Sequence, residues 1–430
     1  MRNLLLALTL ALAACAGVPR PDPTAQLDAV APDYVRLVLG VGEHEAGYVD
    51  AYYGPPEVQA EVKANKPTLP ALKAEADRLL ALVRATPVPA DRVVAKRRAF
   101  LEAHLSAVRA RLDMIGGAKP PFQDEAEALF AIRPTLQPLA SFDPVLARIE
   151  AVVPDGAGTL PERVERFRAR YTIPKDRLDA VMRAAIAECR RRTMQHINLP
   201  ADEAFTLEFV TGKSWSGYNY YQGRHKSLIQ NNTDLPIFID RAVDLGCHEG
   251  YPGHHVHNVL LETRLVEARG WREYSVYPLY SPLSFIAEGT SNAGVDLAFP
   301  GPERTRFEAE TLFPLAGLDP STADEYARLR EALKALQHAR YTIAAEYLDG
   351  RIDRGAAVAL TEKYLLVSRA RAEQLTKFTE EYRSYVINYG LGQDVARAHL
   401  ARAGTSQDAR WAEMERVLSE PTLPRDLQQR

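Results

Sequence analysis

Apolar residues recur at three- and four-residue spacing along most of the chain, with arginine, glutamate and alanine between them. This spacing is typical of helices that bury one face. Prolines and glycines interrupt the pattern and are expected to end the helices. The pattern predicts helices over 33–47, 69–85, 90–113, 123–132, 160–170 and 176–193, and again from about 303 to 420.

The periodicity changes after residue 199, where apolar and polar side chains begin to alternate as they do in strands. The alternation is clearest over 205–210, and 217–221 and 227–232 are shorter extended candidates. We therefore expect a mainly α fold with a small antiparallel β-sheet, whose edge could bind an extended substrate. The predicted organisation is an N-terminal helical lobe over 33–199 and a catalytic lobe over 200–425, with a cleft between them.

The segment 248–255 reads His-Glu-Gly-Tyr-Pro-Gly-His-His and is the most informative part of the chain. A His-Glu pair answered by a later histidine is the core of zinc hydrolase sites. In such sites the imidazoles hold the metal, and the glutamate takes the proton of the metal-bound water. We therefore expect His248 to be a zinc ligand and Glu249 to be the general base. A solvated histidine cluster next to a helix end is the simpler alternative.

The second histidine ligand depends on how the chain passes Pro252 and Gly253. On a regular helix His254 would lie ~9 Å beyond His248 and about 240° around the axis, which is a poor position for a second ligand. Proline breaks the hydrogen-bond ladder and glycine tolerates unusual dihedral angles, so a bulge of two residues would return His254 to the face of His248. His255 lies nearer that face but ~10 Å along the axis, and it is the alternative ligand.

A catalytic zinc ion usually keeps three protein ligands and one open position. Glu288 is the candidate for the third ligand, since it follows an apolar run and precedes small residues that allow close helix packing. Asp296, roughly two turns further on, could orient a ligand histidine. Helix-terminal or solvated acids are the alternative interpretation of both residues.

Hydrolysis of an amide also needs a donor for the developing oxyanion. Tyr389 is the first candidate and Arg383 the second, and His225 in a basic turn is a third. The polar and aromatic segment 44–56 could line the cleft, although a helix end packed against aromatic rings explains it as well.

These motifs resemble the DUF885 family of bacterial zincin-like proteins. The resemblance rests on His248-Glu249-x-x-Pro252-Gly253-His254-His255 followed by Glu288-Gly289, and it extends to the segment 383–393. It implies a helical, zincin-like fold with a zinc metallopeptidase site. It also implies that His248, His254 and Glu288 are the ligands and that Glu249 is the general base.

The first fourteen residues have the basic start and short apolar run of a secretory signal. Cys15 follows Leu-Ala-Ala, as in a bacterial lipobox, so we expect a lipid on Cys15 and a proline-rich tether over 15–32. The protein would then face the periplasm or the cell exterior, attached to the membrane only through this lipid. Cys189 and Cys247 could pair in an oxidising compartment, but they lie in apolar, helix-like surroundings and are predicted to be buried free thiols.

The chain carries 53 lysines and arginines against 56 acidic residues, and a net charge of −3 gives no basic excess for binding nucleic acid. The predicted function is zinc-dependent hydrolysis of peptide bonds. A non-catalytic peptide-binding or structural lipoprotein and a zinc hydrolase of a non-peptide amide or ester are the alternatives. The sequence leaves open whether peptides are cut at their ends or internally.

Overall fold

The computed structural model describes residues 22–429 and is about 65% helical, which confirms the mainly α class. The helices are α1 (Pro23–Gly42), α2 (Pro56–Ala64), α3 (Leu69–Ala85), α4 (Arg92–Ile115), α5 (Phe122–Phe130), α6 (Asp143–Glu150), α7 (Leu160–Ala169), α8 (Leu178–Thr193), α9 (Asp240–Leu245), α10 (His254–Leu261), α11 (Pro282–Ala298), α12 (Glu303–Phe307), α13 (Phe313–Ala316), α14 (Ala323–Lys334), α15 (Ala339–Leu348), α16 (Arg354–Leu365), α17 (Arg369–Tyr382), α18 (Ile387–Ala403), α19 (Gln407–Ser419) and α20 (Pro424–Gln428). The strands are β1 (Val49–Tyr52), β2 (Ala204–Val210), β3 (Gly217–Gly223), β4 (Lys226–Asn232) and β5 (Val276–Pro278). Within residues 22–429, no helix has both the length and the apolar character needed to cross a membrane.

The helices of the N-terminal half follow the predicted pattern closely, because local capping and a buried stripe agree. Helix α3 begins after Thr68, whose hydroxyl accepts a hydrogen bond from the amide of Ala71. Helix α4 begins after Asp91, whose carboxylate accepts from two amides of the first turn. The predicted helices 69–85 and 90–113 are therefore confirmed, with only the ends of the second shifted.

Helix α1 begins ten residues earlier than predicted. The Asp22 carboxylate accepts from the amide of Thr24, and a proline occupies the first helical position, where its missing N–H costs nothing. Buried Leu27 and Val30 hold this first part of the helix against the core. The prediction of an extended tether is thus wrong for residues 23–32. The predicted signal, the lipid on Cys15 and the first part of the tether lie outside the described residues.

The sheet beside the segment 248–255 is mixed. Strands β3 and β4 form an antiparallel hairpin, as predicted, and their turn places Arg224 and His225 at positive φ. Strand β2 pairs in parallel with β4, which gives the order β2-β4-β3. The local alternation predicted the strands, but the partner of β2 depends on a long-range contact that alternation does not report.

Strands β1 and β5 form a second, antiparallel sheet that joins residues 49–52 to residues 276–278. Nearby, Arg97 of α4 forms an ion pair with Glu273, and neither side chain is exposed. The predicted N-terminal lobe therefore contributes strand β1 and the buried charge of Arg97 to the predicted catalytic lobe. The lobe boundary at 199/200 stays a prediction.

Cys189 and Cys247 form a disulfide, so the prediction of two free thiols is wrong. Helix α8 packs very closely against the segment before His248, because a side chain on Gly246 would meet the backbone nitrogen of Ile186 at 3.2 Å. This approach brings the two Cα atoms to 5.4 Å, within the range of a disulfide. A structural disulfide is typical of proteins outside the reducing cytosol.

The disulfide should stabilise the fold, because it closes a loop of 58 residues in the unfolded chain. We expect the double variant Cys189→Ala/Cys247→Ala to have a free energy of unfolding lower by about 2–4 kcal/mol than the oxidised protein, measured by chemical denaturation. Reductant should lower the stability of wild type and leave the double variant unchanged. Equal stability of wild type with and without reductant would contradict the cross-link.

Candidate metal centre

The predicted motif lies where one helix ends and another begins. Helix α9 continues into a single π-helical turn over Gly246–Gly250, which carries His248 and Glu249. Such wide turns are often found at functional sites. The chain then leaves the helical path for three residues, and α10 begins at His254.

Gly253 lets the chain turn back on itself at this break. Its amide donates to the carbonyl of Cys247 at 3.0 Å, and a side chain on it would lie 1.8 Å from the carbonyl oxygen of His248. Only glycine can approach the backbone this closely. The return places Nε2 of His254 3.2 Å from Nε2 of His248, so the structure brings together the two histidines that we preferred.

Glu288 reaches the same point from α11. Its Oε2 lies 3.1 Å from Nε2 of His248, and its Oε1 lies 3.7 Å from Nε2 of His254. With zinc–ligand distances of about 2.1 Å, donor atoms at the corners of a tetrahedron lie ~3.4 Å apart. Oε2 is buried and accepts no hydrogen bond from any described residue. The three side chains therefore fit a zinc ion as donors.

The carboxylate of Glu249 lies beside this cluster, within 4.8 Å of the ligand atoms of His248 and His254. It also borders β3, since a side chain on Gly217 would meet its Oε1 at 2.7 Å. Burial raises the pKa of Glu249 to about 7, and the charge of Glu288 acts in the same direction. Glu288 has an oxygen within 4.0 Å of each histidine, whereas Glu249 forms no such pair with either, so Glu288 is the better placed candidate for a third ligand.

Glu288 is charged in spite of its burial. Burial alone would raise its pKa, but His254 and His248 together hold the pKa well below its usual range. The hydroxyl of Tyr385 also donates to its Oε1 at 2.7 Å. This hydrogen bond fixes the orientation of the carboxylate toward the histidines.

Asn292 orients the first histidine. Its Oδ1 lies 3.1 Å from Nδ1 of His248, so an Nδ1–H donated to the amide leaves Nε2 free toward the cluster. Asn292 stands one helical turn after Glu288 on α11. Asp296, which we predicted for this role, instead accepts hydrogen bonds from Gln393 and Arg397. The residue that orients His248 therefore lies one turn of α11 before the predicted one, because Asp296 is paired with residues of α18.

Helices α11 and α18 cross at a pair of glycines. A side chain on Gly289 would lie 2.5 Å from the carbonyl oxygen of Gly392, so the two backbones touch. This contact brings the start of α18 to the site, where the ring of Tyr389 lies 6.3 Å from that of His248. Tyr389 therefore lines the site, as predicted for an oxyanion donor.

Arg383 does not reach the site, and the prediction of a role for it there is corrected. Its Nε donates to the buried carboxylate of Glu125 at 2.7 Å, and the residue is absent from the cavity wall. His225 stands in the hairpin turn, where its Nδ1 lies 3.0 Å from Asp202, and it too is absent from the wall.

His255, the alternative ligand, points away from the cluster. Its Nε2 lies 2.8 Å from Glu203 and its Nδ1 lies 2.8 Å from the hydroxyl of Ser227, and the side chain is fully buried. Adjacent residues on a helix point about 100° apart, so only one of the two histidines can face Glu288. The structure places His254 there.

The cluster opens into a cavity of about 500 Å³. Asp50 of β1 lines it and accepts a hydrogen bond from Tyr218 of β3. Burial raises the pKa of Asp50 to about 6. The segment 44–56 thus contributes an acid to the cavity, whereas His44 contacts the carbonyl of Pro67 outside it.

The comparisons with known proteins give a likeness of fold. No protein-family model and no curated protein matches the chain. Among solved structures, the chain is similar to a protein from Colwellia psychrerythraea described as a candidate lipoprotein, with a TM-score of 0.51 and 14% sequence identity. The match covers 86% of this chain and 65% of that protein, so this chain spans less than two thirds of its length. At this identity the likeness shows the fold alone, and the DUF885 resemblance stays a prediction.

Three residues of the site were missed by sequence reasoning: Asn292, Tyr385 and Asp50. The spacing could have pointed to Asn292, because a residue four positions after Glu288 lies on the same face of the helix. Tyr385 lies within the segment 383–393, from which we chose its neighbours. Asp50 lies within the segment 44–56, which was predicted as a candidate lining of the cleft, but the pairing of β1 with β5 that brings it to the site could not be predicted from spacing.

The network around Glu203 predicts a pH-dependent stability. Burial alone would raise the pKa of Glu203, but hydrogen bonds from His255, Tyr251 and Arg190 lower it from 4.5 to about 2. A pKa depressed in the folded state stabilises the fold above the unfolded value and loses that effect as the pH falls toward the folded value.

We expect Glu203→Gln to lower the free energy of unfolding by about 1–3 kcal/mol near neutral pH. The deficit should shrink as the pH falls from about 4.5 to about 2, because wild type then loses the same charge. Denaturation over this pH range measures it, with Glu57→Gln, an exposed acid on α2, as the matched control. A deficit that does not change with pH would show that the charge of Glu203 does not contribute.

Proposed function

We propose that this protein is a zinc-dependent hydrolase of peptide bonds. The observation that supports it most is the buried group of His248, His254 and Glu288, with the carboxylate of Glu249 beside it at the wall of one cavity. Two imidazoles, a ligand carboxylate and a second, unpaired carboxylate form the set of side chains that zinc peptidases use.

His248, His254 and Glu288 would hold the ion, while Asn292 and Tyr385 keep two of these ligands in place. When bound, zinc would supply a Lewis acid that polarises the scissile carbonyl and lowers the pKa of a water molecule to near 7. The open side of the cluster faces the cavity, so a substrate can approach it.

Glu249 acts in this proposal as the general base. It would take the proton of the attacking water and pass it to the leaving amine. Its position against Gly217 keeps one carboxylate oxygen at the strand that borders the cavity. Asn219 donates to the backbone carbonyl of Glu249 at 2.6 Å and holds the π-helical turn against the same strand.

Tyr389 is the proposed donor to the oxyanion. Its hydroxyl stays protonated, because burial raises the pKa of Tyr389 well above its ordinary value. Burial also raises the pKa of Tyr385, but its hydroxyl already donates to Glu288. Its proposed role is therefore to position the carboxylate of Glu288. The stacking of Tyr389 near His248 places a hydroxyl-bearing ring at the cavity wall next to the cluster.

We further propose membership of the DUF885 family and attachment to the outside of a membrane by a lipid on Cys15. The lipoprotein description of the Colwellia psychrerythraea neighbour is consistent with such an anchor. The disulfide between Cys189 and Cys247 is consistent with a compartment outside the cytosol.

Zinc content tests the ligand set. We expect about one zinc ion per chain in the purified protein, and loss of stoichiometric zinc in His248→Ala, His254→Ala and Glu288→Ala, measured by elemental analysis. Asn292→Ala should retain the ion with about 10- to 100-fold weaker affinity, because it only orients His248. His225→Ala, in the hairpin turn, is the control and should bind normally. Full zinc in His254→Ala together with loss in His255→Ala would transfer the ligand role to His255.

Glu249→Gln separates catalysis from metal binding. The amide keeps the size of the carboxylate but cannot accept a proton, so hydrolysis should fall by about 10²–10⁴ while zinc content and folding persist. The assay compares both proteins on peptides selected from a library, with metal measured on the same samples. Equal turnover would remove Glu249 from the mechanism. Zinc binding without turnover on a broad panel of peptides, amides and esters would favour the non-catalytic binding protein.

A further inference from the structure

Apart from the histidine cluster, the wall of the cavity carries both acidic and basic side chains, and its acids there are Asp240, Asp244 and Asp296. Seven cationic side chains line it: Arg168, Arg241, Arg304, Arg330, Lys334, Arg340 and Arg371. The first five lie within 4.0 Å of a carboxylate oxygen. In the part of the chain that the structure describes, Arg340 and Arg371 have no carboxylate within that distance.

Arg340 is held by aromatic rings rather than by an anion. Its guanidinium lies 5.0 Å from the ring centre of Phe378 and 5.9 Å from that of Tyr389. Its Nε is buried and donates no hydrogen bond to any described residue. Burial lowers the pKa of Arg340.

Arg371 approaches the same wall from α17. It donates to the hydroxyl of Ser216 at 2.9 Å and to the side-chain carbonyl of Gln374, both neutral partners. Burial, and next to it the charge of Arg241 among other arginines, lowers the pKa of Arg371 to about 9. The second guanidinium is therefore also without an anionic partner among residues 22–429.

A desolvated cation without a counter-charge costs free energy, which a bound anion would recover. Guanidinium groups match carboxylates well, because two parallel N–H groups can donate to the two oxygens. Asp240, Asp244 and Asp296 each pair with one of the other cations, whereas Asp50, Glu249 and Glu288 line the cavity at the histidine cluster. A ligand with an anionic end is thus oriented by the cavity, with that end toward the arginines.

The distance between the histidine cluster and the guanidinium of Arg340 limits the length of substrate that fits between them. The ring of Tyr389 lies 6.3 Å from the His248 ring and 5.9 Å from Cζ of Arg340. The His248 ring and the guanidinium are therefore at most about 12 Å apart. Contact at each end occupies part of this distance, and an extended residue spans ~3.5 Å. One or two residues fit between a scissile carbonyl at the cluster and a carboxylate at Arg340.

We propose that Arg340 and Arg371 bind the free C-terminal carboxylate of a peptide, so that the enzyme releases one or two residues from the C-terminus. This inference rests on the proposed peptidase function. An acidic side chain near the scissile bond presents the same carboxylate chemistry, and the experiment separates it from the terminal carboxylate.

The test compares three peptide libraries of equal sequence content by mass spectrometry: free C-termini, amidated C-termini, and amidated C-termini with a glutamate as the last residue. We expect release of one or two residues from the free-acid library and little from the other two. Arg340→Gln and Arg371→Gln should each lower kcat/KM on the selected free-acid peptide about ten- to a hundredfold. Arg183→Gln, an exposed arginine on α8 paired with Asp179, is the control and should leave it unchanged.

A binding measurement makes the outcome independent of turnover. In the Glu249→Gln background, acetylated tetra-alanine with a free carboxylate should bind more tightly than its amide by calorimetry, and Arg340→Gln should abolish the difference. The melting temperature of Arg340→Gln is measured on the same samples, because the substitution also removes the contacts of the guanidinium with the rings of Phe378 and Tyr389.

Equal cleavage of free and amidated libraries would overturn the inference and leave the peptidase proposal standing. Preferential cleavage or binding of the glutamate peptide would assign the arginines to an acidic side chain. Preferential binding of the free acid without any turnover by wild type would refute the peptidase proposal and retain the carboxylate site. Equal binding of acid and amide would overturn the inference in every case.

Discussion

The structure around the site depends on one close approach, that of Gly253 to the backbone carbonyl of His248. It turns the chain back after the π-helical turn and sets His254 opposite His248, six positions earlier in the sequence. A regular helix would point the two imidazoles in different directions. Three further elements pack around this turn: α8 through the disulfide, α11 through Glu288 and Asn292, and β3 through Gly217.

Two imidazole nitrogens and two carboxylates within a few ångströms of one another are costly inside a protein unless a cation or protons compensate them. The described residues compensate them only in part, through Tyr385 on Glu288 and Asn292 on His248. At Arg340 and Arg371 the charge without a partner is positive, because no carboxylate among residues 22–429 pairs with either guanidinium. One cavity therefore holds a cluster of electron donors and two guanidinium groups without a carboxylate partner among residues 22–429, and the ring of Tyr389 is near His248 and Arg340. This polarity is a property of the folded chain that ordinary packing does not require.

Much of the fold could be predicted from periodicity, because many helices bury a stripe of apolar residues, and some, such as α3 and α4, also begin at a side-chain cap. Helix α3 was predicted to the residue, and strands β2, β3 and β4 to within two. Errors occurred where a distant partner decides the outcome. Strand β2 pairs in parallel with β4, whereas the predicted sheet was antiparallel. The first turns of α1 are held by core contacts of Leu27 and Val30, and the two cysteines meet because α8 packs on Gly246.

The sequence by itself determined the helical class, the strands and the chemical candidates, because these depend on spacing and residue type. It also indicated the break at Pro252 and Gly253. Only the tertiary structure decided that His254 rather than His255 faces Glu288, that Asn292 rather than Asp296 orients His248, and that Arg383 belongs to Glu125. It alone placed Asp50, Arg340 and Arg371 in the same cavity. Spacing along one helix fixes which residues share a face, whereas the identity of the surface against that face depends on the packing of segments far apart in the chain.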